Sequence, residues 1–355
     1  MTKVGIYYPD YVLANRSCSY EIIKSFIQLP KFTDIETGFI TTAAQSSSCI
    51  INRRIRNVIK YFTSSINRIS QNDISESDVI YQYDTLTDKT SIYKSIARTP
   101  VFATTEFKGA GYIRDILGKT VNQQKEADQL AKRLDKVALL HFYNQASRER
   151  FLNYRPDFAK KCVTIPFLLP ELSFLSEPIK KKYTHILYID GNGCKVGLKN
   201  FIKSLHTLGT DYLKKHDSHI TFISKSKPQS VSGAQATWYH PNIQQEKVIQ
   251  LMQEASICVL APSLESYNKT LLQAVMYDCA IITNPDESRA EILGDAGIQI
   301  SFNAPYQITT SLTHLIEDTK YSEKLGTQAK MRAQALFQPS VVAMQYRDCF
   351  QNMLS

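Results

Sequence analysis

Glu265 and Gln273 stand eight positions apart in a stretch that reads strand, loop, helix, strand: residues 257–261, a loop from Pro262, a short helix at 270–278, and residues 280–283. A strand that feeds a helix N-terminus directs unsatisfied N–H groups and a positive dipole toward the carboxyl edge of a parallel sheet. Open α/β sheets hold their ligands at that edge. Ser266, Tyr267, Asn268, Lys269 and Thr270 fill the loop and helix start with polar groups. Thr270 is placed to cap the helix, and Lys269 adds a full positive charge, so backbone and side chain together would hold a phosphate. Glu265 would accept hydrogen bonds from sugar hydroxyls, which need directional acceptors. Gln273 has the length of glutamate and both donor and acceptor capacity, without the charge. The competing reading makes Lys269 and Glu265 solvated loop charges.

A second loop of this kind follows residues 185–190, in the run Tyr-Ile-Asp-Gly-Asn-Gly-Cys-Lys that starts at Tyr188. Gly191 and Gly193 let backbone approach a phosphate closely, Asn192 lies between them, and Lys195 and Lys199 bring charge. A plain strand–helix turn reads equally well. Glu106, just after a strand, could accept a proton, or be a surface acid near Lys108. Arg16, after the first strand, could hold an acceptor or donor phosphate, or be an ordinary surface arginine. His141, His219 and His240 have no partner at metal-ligand spacing and are assigned no chemistry.

The elements that must position these residues alternate. Strands are expected at 4–8, 35–41, 79–83, 100–104, 137–142 and 162–166, with helices at 20–29 and 122–134. After a Pro- and Leu-rich stretch the scheme repeats. Strands fall at 185–190, 219–224, 257–261, 280–283 and 298–301, with helices at 198–215, 244–255, 270–278, 287–293, 306–318 and 320–336. Pro339 breaks the chain before a last helix at 340–354. Strands separated by helices predict parallel, doubly wound sheets.

At 355 residues the chain suffices for two domains. No run of about 18 apolar residues predicts a membrane span, and the opening MTKVGIYYPD reads as a first strand rather than a signal peptide. Seven scattered cysteines without a C-x-x-C pair fit reduced, cytosolic thiols and argue against a zinc site. The net charge of +9 suits a phosphorylated donor or acidic lipid headgroups, or simply solubility. Residues 51–69 place apolar side chains at 51, 55, 58, 59, 62, 66 and 69, with Arg53, Arg54, Arg56 and Lys60 on other faces. Such a basic amphipathic helix can lie on an anionic membrane. A core-facing helix with a solvated basic face is the more common outcome.

The run from Pro262 to Ala274 resembles the donor-sugar loop of retaining glycosyltransferases of the GT-B fold, in particular family 4, whose pattern is P-S-x-x-E-G-F-G-x-x-x-L-E-A. Pro262, Ser263, Glu265, Leu272 and Ala274 match, Gln273 replaces the second glutamate, and Ser266 and Asn268 replace the glycines. Residues 135–166, 245–263 and 290–301 resemble further segments of that family in the same order. The resemblance implies an α/β architecture of two Rossmann-like domains facing across a cleft. The expected bounds are an acceptor-side domain at 1–172, a linker at 173–184, a nucleotide-sugar domain at 185–337, and a helix at 338–355 that returns to the first domain. Lys195 would take the diphosphate-clamping lysine role, while Asn192 stands where an arginine is common. Glu106 stands at the histidine of the family's T-x-H-D, near the reacting sugar carbon, where the resemblance implies it would stabilise oxocarbenium-like charge or accept the acceptor's proton, so Glu106 and Glu265 become the catalytic candidates. Gly191, Asn192, Lys195, Ser266, Tyr267, Asn268, Lys269, Thr270 and Gln273 become the donor-binding set. Arg16 lies where the family carries a glycine pair, and Trp238 and Tyr239 could line the nucleotide-base side.

The implied function is transfer of a sugar from a nucleotide-diphosphate sugar to a glycan acceptor, lipid-linked in bacterial-type surface polysaccharide or glycoconjugate synthesis. Retention is implied, with neither metal nor cofactor, and no D-x-D motif is present. The implied location is cytoplasmic or peripheral on the cytoplasmic membrane face, with residues 51–69 as the anionic-membrane contact and no nucleic-acid partner. A non-catalytic GT-B-like subunit that binds an acceptor or a partner transferase is the alternative. The departures at Gln273, Asn192 and the missing glycines favour it. A nucleotide-sugar epimerase of the same fold is a third reading.

Overall fold

The computed structural model describes residues 2–7, 30, 33–40, 68–69, 79–82, 101–104, 122–133, 137–167, 184–190, 195–228, 234–262 and 268–355. The chain divides into two compact units. One comprises Met1–Gly109, Asn122–Pro170 and Phe337–Ser355; the other comprises Ala110–Val121 and Glu171–Leu336.

The first unit carries β1 (Thr2–Tyr7), β2 (Ile35–Ile40), β3 (Arg68–Ile69), β4 (Val79–Gln82), β5 (Val101–Thr104), β6 (Leu139–Phe142) and β7 (Cys162–Thr164). They form one sheet in the order β3-β2-β1-β4-β5-β6-β7, paired in parallel throughout. Helix α1 (Gln123–Arg133) precedes β6, and α2 (Gln145–Leu152) follows it. Asn144 caps α2 by accepting from the Ser147 N–H at 2.7 Å, which offsets one orphan donor of the first turn.

The last helix of the chain, α10 (Pro339–Leu354), belongs to this first unit. Its buried Tyr346 and Phe350 pack edge-on against Phe102 of β5, with ring centroids 6.3 and 5.3 Å away. His141 of β6 stacks on Phe102 at 5.3 Å. Its Nε2–H donates to the Ile165 carbonyl at 2.7 Å, and the Tyr346 hydroxyl lies 3.5 Å from the same nitrogen. His141, assigned no chemistry from the sequence, is therefore a core residue.

Full burial pushes the His141 imidazole down to about 4 from 6.5. Between those values the unfolded chain binds a proton that the folded chain excludes. This contribution to stability is whole above pH 6.5 and is lost progressively as pH falls to about 4. The gap corresponds to on the order of 3 kcal/mol. Urea unfolding at pH 7, 5.5 and 4 should show this loss, and His141→Leu should flatten it over the same window.

The second unit carries β8 (Thr184–Ile189), β9 (Ser218–Ile223), β10 (Gln235–Tyr239), β11 (Ile257–Leu260), β12 (Ala280–Thr283) and β13 (Ile298–Gln299), all parallel, in the order β10-β9-β8-β11-β12-β13. Helices α3 (Lys195–Leu208), α4 (Thr210–Lys215), α5 (Gln245–Glu254), α6 (Lys269–Val275), α7 (Glu287–Leu293), α8 (Pro305–Glu317) and α9 (Thr319–Phe337) complete it. Ile186 and Tyr188 of β8, Phe222 of β9, Val259 of β11 and Ile282 of β12 form one core with Phe201 and Leu205 of α3 and Leu312 of α8. Tyr188 stacks on Phe201 at 4.7 Å. Continuous apolar strands such as ICVL and AIIT mark a sheet covered on both faces.

Four expectations are corrected. Residues 68–69, the end of the predicted basic helix, form edge strand β3 beside β2; residues 51–67 lie outside the described residues. The helix expected at 198–215 is two, because Gly209 at φ 87° turns the chain between α3 and α4. Strand β10 was not foreseen. It is an edge strand whose first three residues are exposed, so it lacks the apolar run that marked its neighbours. Thr270 does not cap α6, since the N-cap position belongs to Asn268.

Candidate functional site

The second sheet reverses its strand order between β8 and β11. Connections from those two strands leave in opposite directions, which opens a crevice at their carboxyl ends. The ends are held in line, with the Asp190 N–H donating to the Ile223 carbonyl at 2.8 Å and the Ala261 N–H to the Ile189 carbonyl at 3.0 Å. Two helices begin just past this edge, α3 at Lys195 and α6 at Lys269.

Of the residues singled out from the sequence, Asn268, Lys269, Thr270 and Gln273 lie together at the start of α6. Lys195 is the first residue of α3, and its side chain is outside the description. Arg16, Glu106, Gly191, Asn192, Glu265, Ser266 and Tyr267 lie outside the described residues.

Asn268 is buried and left-handed, at φ 49° and ψ 39°. Asparagine tolerates that region far better than most residues. This is a physical reason why Asn can stand where the family-like pattern has Gly. Its side chain is also engaged, with Nδ2 donating to Ser288 Oγ at 2.8 Å. Ser288 Oγ in turn donates to Asp286 Oδ1, and Asp286 caps α7 by accepting from the N–H groups of Ser288 and Arg289 at 3.0 and 3.3 Å. A continuous hydrogen-bonded chain thus joins the start of α6 to the start of α7.

Gln273 is buried, and its Oε1 accepts from Gln245 Nε2 of α5 at 3.2 Å. A neutral amide suits this site, because a carboxylate buried there would need a charged partner.

Sequence reasoning missed two residues at this edge. Asp190, directly after β8, is half-buried, and burial pushes its carboxyl up to about 6. Its Oδ1 has no hydrogen-bond partner among the described residues. Its place at a strand end before Gly-Asn-Gly was the available signal. Arg289 of α7 is only 2% exposed. Its Nη1 donates to the Leu260 carbonyl at 3.3 Å and to Thr283 Oγ1, and its Nη2 to the Ala261 carbonyl at 3.3 Å. Its spacing to Ile292 and Leu293 puts it on the buried stripe of α7, and a basic residue on an apolar stripe is a readable anomaly.

A cavity of about 440 Å³, lined by Lys215, His216, Asp217, Asp278 and Glu323 among others, lies at the amino ends of the strands. The length of the sheet separates it from the crevice. Among the described residues no group of three or more His, Cys, Asp or Glu side chains is arranged to hold a metal ion. No described helix is long and apolar enough to cross a membrane.

No protein-family model matches the sequence, and comparison with curated proteins finds no relative. Solved structures do match, end to end. The chain is similar to sucrose-phosphate synthase from Thermosynechococcus elongatus at a TM-score of 0.71 and 10% identity, covering 99% of both chains. It is similar to Anabaena HepE in complex with UDP and glucose at 0.69 and 11%, covering 99% of this chain and 100% of that one. The S. aureus MnaA–UDP structure matches at 0.61 and 10%, over 100% and 97%. At such identities the likeness establishes the fold: an α/β chain of the GT-B class, built from two Rossmann-like units, with the C-terminal helix joined to the first.

Proposed function

We propose that the chain is a glycosyltransferase that draws its sugar from a nucleotide-diphosphate donor. The observation that carries this reading is the end-to-end GT-B fold shared with structures described as complexes of UDP, or of UDP and glucose. The crevice at the β8–β11 switch point supports it, since α3 and α6 both start there with a lysine. Lys195 and Lys269 would neutralise the diphosphate as it leaves, the largest electrostatic task in such a transfer. Asp190, at the end of β8, would meet a donor hydroxyl. Glu265 would accept from sugar hydroxyls, and Glu106 and Arg16 would act on the acceptor side.

In the finer reading the enzyme resembles family 4, retains anomeric configuration, needs no metal, and serves a lipid-linked glycan acceptor at the cytoplasmic membrane face. Its domains follow the bounds 1–172, 173–184, 185–337 and 338–355. The test is incubation with a panel of nucleotide sugars and glycan or lipid-linked acceptors, with nucleotide release measured and the product anomer read by NMR. Transfer with the donor's configuration preserved is expected; an inverted product would remove the family 4 assignment.

One observation favours a second reading. Gln273 has no charge, and its carbonyl is already occupied by Gln245, which suits a non-catalytic subunit. That reading predicts nucleotide binding without release of product from any donor.

A further inference from the structure

Arg289 is an expensive residue to bury. A guanidinium taken from water must recover its hydrogen bonds inside the protein. Its guanidinium donates at the carboxyl ends of two neighbouring strands: to the carbonyls of Leu260 on β11 and Ala261 just past it, and to the hydroxyl of Thr283 on β12. Thr283 Oγ1 also donates to the Leu260 carbonyl at 3.2 Å. Carbonyl dipoles at a strand end present partial negative charge, which compensates the cation. Through α7 the same residue is tied to the start of α6, because Asp286 and Ser288 reach Asn268. Arg332 of α9 fixes the far end of α7 by donating to the carbonyls of Ile292 and Glu291 at 3.1 and 2.9 Å.

We propose that Arg289 is a positioning residue of the donor crevice. Its guanidinium sets where β11 ends, and its helix sets where α6 begins. Pro262 and Asn268, the described ends of the segment between them, are thereby held at a fixed spacing. Arg289 acts through these groups rather than by touching the ligand. The proposal rests on the carboxyl edge being the donor site.

The experiment uses the full chain, with UDP as the probe, in wild type, Arg289→Ala and Arg289→Lys. Calorimetry gives UDP affinity, and hydrogen exchange reports on the Ala261 and Leu272 amides, which donate to Ile189 and Asn268. Arg289→Ala should weaken UDP binding by about tenfold or more, as expected when several charge-assisted hydrogen bonds are lost. Exchange at both amides should accelerate, while the β8–β9 ladder around Ile186 keeps its protection. Guanidinium ion at tens of millimolar should restore part of the affinity, a rescue that general destabilisation would not produce. Arg289→Lys, the variant to use if the alanine form does not fold, keeps the charge but not the forked donors and should show the same local acceleration to a smaller degree. Wild-type exchange at Ala261 and Leu272 in a folded variant overturns the proposal. Wild type that binds no UDP while the variants still loosen those amides would instead sink the donor-site reading and leave Arg289 a purely structural anchor.

Discussion

Lys269→Ala is expected to lower turnover with a nucleotide sugar by roughly a hundred- to a thousandfold, the usual effect of removing one preorganised group that stabilises developing negative charge. Lys269 is the first residue of α6, partly exposed, directly beyond the carboxyl edge of β11. The seven-residue α6 has only a small dipole of its own, so most of the charge at that point comes from the side chain. Alanine is at least as good a helix former as lysine. The melting temperature should therefore stay nearly constant while kcat/KM collapses. Steady-state kinetics and a thermal unfolding curve on the same preparation separate the two effects. Turnover within a few-fold of wild type would remove Lys269 from the diphosphate site.

Gly326→Ala should do the reverse, damaging stability first. Within a helix this change ordinarily gains about 1 kcal/mol. At Gly326 of α9, however, a β-carbon would lie 2.7 Å from the Asp278 carbonyl carbon and closer still to its oxygen. Both atoms are backbone. They belong to a turn already held at φ 55° and tied down by the Lys330 ammonium, 2.6 Å from Asp278 Oδ2. Overpacking against an unyielding neighbour costs roughly 3 kcal/mol, so the clash outweighs the propensity and the net loss is about 2 kcal/mol. Urea denaturation measures it. Unchanged or raised stability would mean that α9 can move away from the turn before β12. Because α9 also carries Arg332, the variant should weaken ligand binding as a secondary effect.

Apart from β3 and β10, the strands of both sheets are legible as short apolar runs between helical patterns, because parallel strands are buried on both faces. Runs such as ICVL and AIIT admit few other readings. β10 escaped because an edge strand needs only one covered face. At the candidate site, the polar residues of α6 are legible because they interrupt a strand–helix turn. Arg289 and Ser288 are not, because the partners that matter lie on other elements, 29 positions away in the case of Arg289 and Leu260 and 20 for Ser288 and Asn268. Local spacing carries no trace of a hydrogen bond made across a sheet edge. Asn268 stands where the family pattern has a glycine and among the expected donor-binding residues; its left-handed backbone and its bond to Ser288 are what the sequence does not show.

The central claim is that a nucleoside diphosphate binds at the β8–β11 switch point of the second unit. Hydrogen exchange with and without saturating UDP tests it most directly. Protection is predicted at Asp190, at Ala261 and over the first turn of α6, with the cavity around Asp217 and Glu323 unchanged. No saturable binding, or protection confined to that amino-end cavity, would contradict the account.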